Sequence, residues 1–110
     1  MKVRTKGHTT IIKDSNDDLG VLIALLTYDI DKYKEQNLIV DLTHFGAIEE
    51  KYFLFFQPIS IAHKSNKKSF VLVVSSIDLD AFSESFVVVP SLAEAHDIIE
   101  MEEIERDLGF

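Results

Sequence analysis

The sequence predicts an α/β fold, a small mixed sheet of four to five strands with helices packed against it, formed by residues 1–110 as a single domain. Three observations carry this. Two runs, NLIVDL at 37–42 and FVLVV at 70–74, are short and almost uniformly apolar, as strands buried on both faces are. Around them lie stretches whose apolar residues recur at steps of three and four, the spacing of one helical face. Strands separated by helices imply a parallel or mixed sheet, because a parallel neighbour is reached only through a crossover.

In chain order, KVRTKGHTTIIKD (2–14) places β-branched residues on both sides of Gly7-His8, which reads as two strands joined by a turn. SNDDLGVLIALLTYDIDKYKEQ (15–36) opens with Ser15 and Asn16 as capping residues, and with Asp17 and Asp18, whose charge suits the positive end of a helix. Leu19, Leu22, Ile23, Leu26, Ile30 and Tyr33 form its apolar face. Leu38 to Leu42 is the central strand. A second helix is expected to begin within GAIEEKYFLFF (46–56), with Ile48, Tyr52, Phe55, Phe56, Ile59 and Ala62 toward the core and Phe53 and Leu54 off that face. Pro58 should kink this helix or divide it. A buried strand then ends at Val74, IDLDAFSES (77–85) connects with at most one helical turn, and FVVV (86–89) is a last short strand.

Ser91 and Glu94 have the S-x-x-E spacing of a capping box and open the final helix. Its Leu92, Ala95 and Ile99 define one face, while Ile98, Met101, Ile104 and Leu108 define another, rotated well away. Two readings follow. Either the helix bends so that both faces meet one core, or residues 101–110 are an arm, through Met101, Ile104 and Leu108, that docks on a second chain to form a homodimer.

Charge and motifs exclude several functions. The net charge of -8 is concentrated in residues 91–110, which hold seven acids against Arg106. Phosphate backbones repel such a surface, and the densest basic group, Lys64, Lys67 and Lys68, is not interleaved with aromatics, so no nucleic-acid partner is expected. No apolar run approaches the ~18 residues that cross a bilayer. The N-terminal MKVRTKGHTT lacks a signal peptide's apolar segment, so no membrane association and a cytoplasmic location are expected.

With no cysteine, thiolate zinc sites and cysteine nucleophiles are absent. The glycines are isolated, so there is no phosphate loop, and no G-x-S-x-G elbow presents a serine. His8, His44, His63 and His96 lie far apart; the nearest metal-like pair is His96 with Glu100, ordinary for an acidic surface helix. Ser75 and Ser76 follow a strand, where open α/β sheets bind ligands, but a strand ending in a polar turn is the simpler account and is preferred. Glu49 and Glu50 are adjacent and cannot jointly flank a substrate as a glycosidase pair does. No catalytic residue, metal or cofactor is therefore expected, and the chain reads as a non-enzyme.

The order of a hairpin, a helix, the strand LIVDLTHF, a helix, the strand FVLVV, a short strand and then VPSLAEAHDII resembles the STAS domain of anti-sigma factor antagonists, over roughly residues 8–100. Its most specific pieces are the strand with Asp41-Leu42 and the Val-Pro-Ser-Leu-x-Glu-Ala at 89–95. The resemblance implies a STAS-like fold and a regulatory role in which the partner is a protein, an anti-sigma factor or another regulator. STAS antagonists usually carry Asp-Ser-Ser-Gly-Leu after that strand, the first serine being phosphorylated by an anti-sigma kinase. Counting forward from Asp41, Glu49 falls at the aspartate, Glu50 at the phosphorylated serine, Lys51 at the second serine and Tyr52 at the glycine.

The phospho-acceptor is thus missing, and a carboxylate carries one charge against the phosphoserine's roughly -1.5 to -2. Glu49, Glu50, Phe53 and Leu54 become the candidate partner-binding residues; the simpler reading is that both glutamates favour a helix start. The family's helix between the last two strands is reduced here to IDLDAFSES. A second resemblance is to small acidic bacterial proteins ending in the like of EMEEIERDLGF, which carry the label ribonuclease Z. Ribonuclease Z enzymes are larger metallo-hydrolases requiring H-x-H-x-D-H, which is absent here, so the label would belong to a neighbouring gene or a partner. A small-ligand carrier of STAS-like form is the remaining alternative.

Overall fold

A computed structural model describes residues 1–14, 17–46, 48–75 and 87–109, the side chain of Glu50 excepted. The expected caps Ser15 and Asn16, the serine at 76 and the connection at 77–85 lie outside the described residues. Strands β1 (Lys2–Lys6), β2 (Thr9–Lys13), β3 (Asn37–Asp41), β4 (Phe70–Val73) and β5 (Val87–Val89) form one sheet in sequence order. The β1–β2 pair is antiparallel and every later pair is parallel.

The hairpin turns at Gly7-His8 because Gly7 takes φ +59°, the left-handed conformation that a two-residue turn demands of its first central residue. β1 is exposed along its whole length, an edge strand in which Lys2, Arg4 and Lys6 discourage further pairing. β3 and β4 are buried on both faces, which is why their sequences lack alternation.

Helices α1 (Leu19–Asp29) and α2 (Phe53–Ser65) lie side by side on one face of this sheet. They cover Ile12, Leu38, Val40, Leu42, Phe70, Leu72 and Val74. Helix α3 (Leu92–Asp107) covers the other face, where Ala95 and Ile99 meet Ile11, Ile39, Val71 and Val73. The strand period of two sends alternate residues into two cores separated by the sheet.

Three details differ from expectation. α1 is capped by Asp18, whose Oδ1 accepts the Val21 N–H at 3.1 Å; Asp17 takes φ +53° just before it, so the helix starts only at Leu19. α2 begins at Phe53 after a 3₁₀ turn at Glu50–Tyr52, and it runs unbroken through Pro58. Pro58 is exposed, on the side where the Leu54 carbonyl it leaves unbonded can be hydrated. The core face of α2 is also rotated by about one residue: Phe53, Phe56, Ile59, Ser60 and His63 are buried, whereas Phe55 and Ala62 are exposed. Apolarity alone misplaced the stripe because two of its buried members, Ser60 and His63, are polar.

α3 remains one continuous helix, and of its second face only Ile98 packs against the core formed with Ala95 and Ile99. Ser91 Oγ accepts the Glu94 N–H at 3.2 Å, and its hydroxyl donates to Glu94 Oε2 at 3.0 Å. The second half of α3 is tied to its own sheet by polar contacts. Arg106 donates to Ser69 Oγ at 3.1 Å and to Asn37 Oδ1 at 3.4 Å, and Asn37 Nδ2 donates to Glu103. Met101, Ile104 and Leu108 consequently point outward and are exposed.

Candidate functional site

The candidate site is the turn that carries the chain from β3 into α2, at the carboxyl ends of the parallel strands. β3 ends with Asp41, a buried carboxylate whose Oδ1 accepts both the Thr43 N–H at 3.0 Å and the Thr43 hydroxyl at 2.7 Å. This local closure bends the chain into a 3₁₀ turn at Thr43–Phe45, and Gly46, at φ +67°, lets it leave. Ser75, at the end of β4, is exposed and donates its hydroxyl to the Thr43 carbonyl at 3.4 Å, so it serves as a polar strand terminus.

Glu49 lies beyond this turn and before the 3₁₀ turn at 50–52, its carbonyl accepting the Tyr52 N–H at 3.1 Å. It is exposed and pairs with Lys51 at 3.4 Å, the lysine standing 5.4 Å from the centre of the Tyr52 ring. Solvent screens such a pair, so its value is to orient the turn and not to stabilise the fold. Glu49 immediately precedes the 3₁₀ turn Glu50–Tyr52, which runs directly into α2, so it stands at a helical start as expected, although α2 itself opens at Phe53 with no acid in its first turn. The side chain of Glu50 lies outside the described residues.

Phe53, expected off the core face, is buried, 3% exposed; Leu54 is 66% exposed, and Phe55, expected in the core, is 58% exposed. The exposed group at the start of α2 is thus Glu49, Lys51, Leu54 and Phe55, with Tyr52 half-buried between them and its ring 6.5 Å from that of Phe55. A cleft of about 320 Å³ separates this turn from the start of α1 and is lined by Asp17, Asp18, Gly20, Phe45, Glu49 and Tyr52. His44 contacts Asp17 across its rim, both side chains being largely exposed.

Chemistry is sparse elsewhere. Among the described residues, no three His, Asp or Glu side chains converge as metal ligands. Asp14, at the end of β2, is buried, and its Oδ2 has no hydrogen-bond partner among the described residues. Burial pushes the His63 imidazole below its ordinary pKa, which keeps it neutral. Among the described residues neither ring nitrogen reaches a partner in good hydrogen-bonding geometry, although backbone groups of Ile59, Tyr33 and Gln36 lie near enough to oppose the shift. His63 packs against Phe70 at 6.0 Å between centroids, so it acts as a core residue. His96 is also lowered, by burial and then by Lys6 and Arg4, against a weaker opposite pull from Asp97.

At the opposite end of the sheet, a cleft of about 470 Å³ lies between the turn after α2 and the end of α3. Lys64, Lys67, Lys68 and Arg106 line it, faced by Glu102 and Glu105.

Sequence reasoning missed the outer side of α1, where Val21, Leu25 and Tyr28 are exposed. The signal was present: LGVLIALLTY carries no charge on any face, whereas a surface helix ordinarily has a polar side.

No protein-family model matches the chain, and no curated protein matches it. Among the described residues no helix is long and apolar enough to cross a membrane.

Proposed function

We propose that the chain is a non-catalytic, STAS-like protein-interaction module of the cytoplasm that acts without a phosphorylation switch. The element order of hairpin, helix, strand, helix, strand, strand and helix supports the STAS-like reading. The observation that carries the function is the turn after β3, where exposed Glu49 and Lys51 stand beside the exposed apolar Leu54 and Phe55. Charges rimming an apolar group are the surface chemistry of a protein contact. Glu50, at the position of the family's phosphorylated serine, gives the turn a permanent negative charge, so binding would be constitutive. The partner is an anti-sigma factor or another regulator, and a ribonuclease Z label would belong to such a partner or to a neighbouring gene.

The test is a pull-down from native lysate with wild type, Glu50→Lys and Leu54→Asp, each checked for folding by circular dichroism. A protein recovered with wild type and lost with both variants supports the reading; equal recovery with all three contradicts it. A carrier of a small anionic ligand is a second reading, favoured by the cationic side of the 470 Å³ cleft. Mass spectrometry of the natively purified protein distinguishes it, through a bound molecule released by Lys68→Glu.

A further inference from the structure

The outer surface of the α1–α2 layer is apolar and without formal charge over residues 19–28 and 53–62, the charged Asp29 and Lys64 standing only at the helix ends. In α1, Val21, Leu25 and Tyr28 are exposed at i, i+4 and i+7; in α2, Leu54, Pro58 and Ile61 are exposed at the same spacing. Each set is one stripe along its helix, and the two helices are neighbours on the same sheet face. Residues 19–28 and 53–62 contain no Asp, Glu, Lys or Arg, in a chain with 27% charged residues. The only hydroxyl on the outer side of α1 besides that of Tyr28 belongs to Thr27, and it is turned inward to the Ile23 carbonyl at 2.7 Å. A helix apolar on all sides belongs in an interior, and a paired apolar surface of this extent marks an interface.

We infer that this face is the contact surface of a symmetric homodimer, α1 and α2 of one copy packing on α1 and α2 of the other. The distribution of charge selects a second copy as the occupant. A foreign protein is ordinarily chosen by complementary charge, and the stripes themselves offer none; the charges of Glu49 and Lys51 stand only at the margin by Leu54. Self-contact needs no such code, but it must keep like-charged surfaces apart. Seven of the chain's 19 acids lie in residues 91–110, on and around α3, which packs on the opposite side of the sheet.

In a dimer joined through α1 and α2, the two acidic helices form the outermost layers. At about 10 Å for each packed layer they stand several screening lengths of ~8 Å apart. Joining through α3 would do the reverse, bringing Glu100, Glu105 and Asp107 against their own copies around Met101, Ile104 and Leu108. A lipid surface is disfavoured because no basic residue lies within either helix stripe to meet anionic headgroups. A twofold contact also closes on itself, so assembly stops at two copies.

This goes beyond the partner-binding reading and does not require it. Leu54 and Phe55 lie at the margin shared by both surfaces, so the test uses residues the partner reading does not. Sedimentation equilibrium of wild type should give the mass of two chains. Leu25→Glu and Ile61→Glu should each weaken the dimer by about tenfold or more, while Ile104→Glu on α3 should change it less than about twofold. Where Leu25→Glu fails to fold, Tyr28→Glu replaces it, since that side chain is 87% exposed in the single chain.

A monomeric wild type at all accessible concentrations would overturn the inference and give the face to a foreign apolar partner. Dimers indifferent to Leu25→Glu and Ile61→Glu, dimers lost with Ile104→Glu, and open-ended assemblies would each overturn it as well. Loss of the dimer in Ile61→Glu with lysate capture intact would leave the partner reading standing; the converse would isolate the failure there.

Discussion

The two coverings of the sheet solve the same packing problem with opposite outer surfaces. Below, α1 and α2 seal a core containing Leu22, Leu26, Phe56 and Phe70 and turn outward an apolar surface that is uncharged over residues 19–28 and 53–62. Above, α3 seals a thinner core with Ala95 and Ile99, reinforced by the Arg106–Ser69 and Glu103–Asn37 bonds, and turns outward a surface dense in carboxylates. Burial of an inner face explains both helices' presence but not the difference between their outer faces. That difference is a matter of function, because solubility alone would favour polar residues on each.

The strongest way to break the comparison is to empty the two cores. Phe56→Ala should cost about 3–5 kcal/mol, because the ring is fully buried 6.3 Å from that of Phe70 and its neighbours are held by the sheet. Ile99→Val, which removes one methylene from the thinner core, should cost about 0.5–1.5 kcal/mol. Urea unfolding of both variants measures the pair; a loss below about 1.5 kcal/mol for Phe56→Ala would contradict the close packing of the α1–α2 core.

Acidification should act on both layers, because His96 on α3 is shifted in the same direction, but the fully buried histidine is His63 of α2. Its folded pKa is lowered, so the unfolded chain binds the proton more readily and stability rises with pH across this window. The stabilisation is complete above the ordinary histidine value of about 6.5 and is lost as pH falls from there toward the folded value. Unfolding midpoints of wild type should therefore drop between about pH 7.5 and 5, while His63→Leu should show a flatter profile. Parallel profiles would remove His63 from the account.

The smallest effects are expected at the caps, which sharpen the comparison by testing each layer's helix start. Asp18→Ala and Ser91→Ala should each cost about 1 kcal/mol by thermal or urea unfolding, since each removes the acceptor of a helix N–H.

Most of the sheet could be read from the sequence because parallel strands buried on both faces have no competing pattern: NLIVDL and FVLVV can scarcely be other than strands. The Ser91–Glu94 cap was legible for a similar reason, being a local motif that depends on no distant contact. The start of α2 was legible only to within a few residues. Gly46 and Glu49 resemble the opening of a helix, but the Asp41–Thr43 bonds and two 3₁₀ turns hold that segment back until Phe53. The orientation of α2 escaped because the chain buries Ser60 and His63 while exposing Phe55, a tertiary choice that no count of apolar residues anticipates. At the candidate site, the exposure of Leu54 was foreseen, whereas Phe53 and Phe55 exchanged places.

The central claim is that the α1–α2 surface, and not the α3 surface, is built for contact. Amide hydrogen exchange at low and high protein concentration tests it most directly, because it reads protection helix by helix without altering a residue. Protection that grows with concentration in residues 19–28 and 53–62, and stays constant in residues 100–108, is the predicted result. Concentration-dependent protection confined to residues 100–108, or none in any helix, would contradict it.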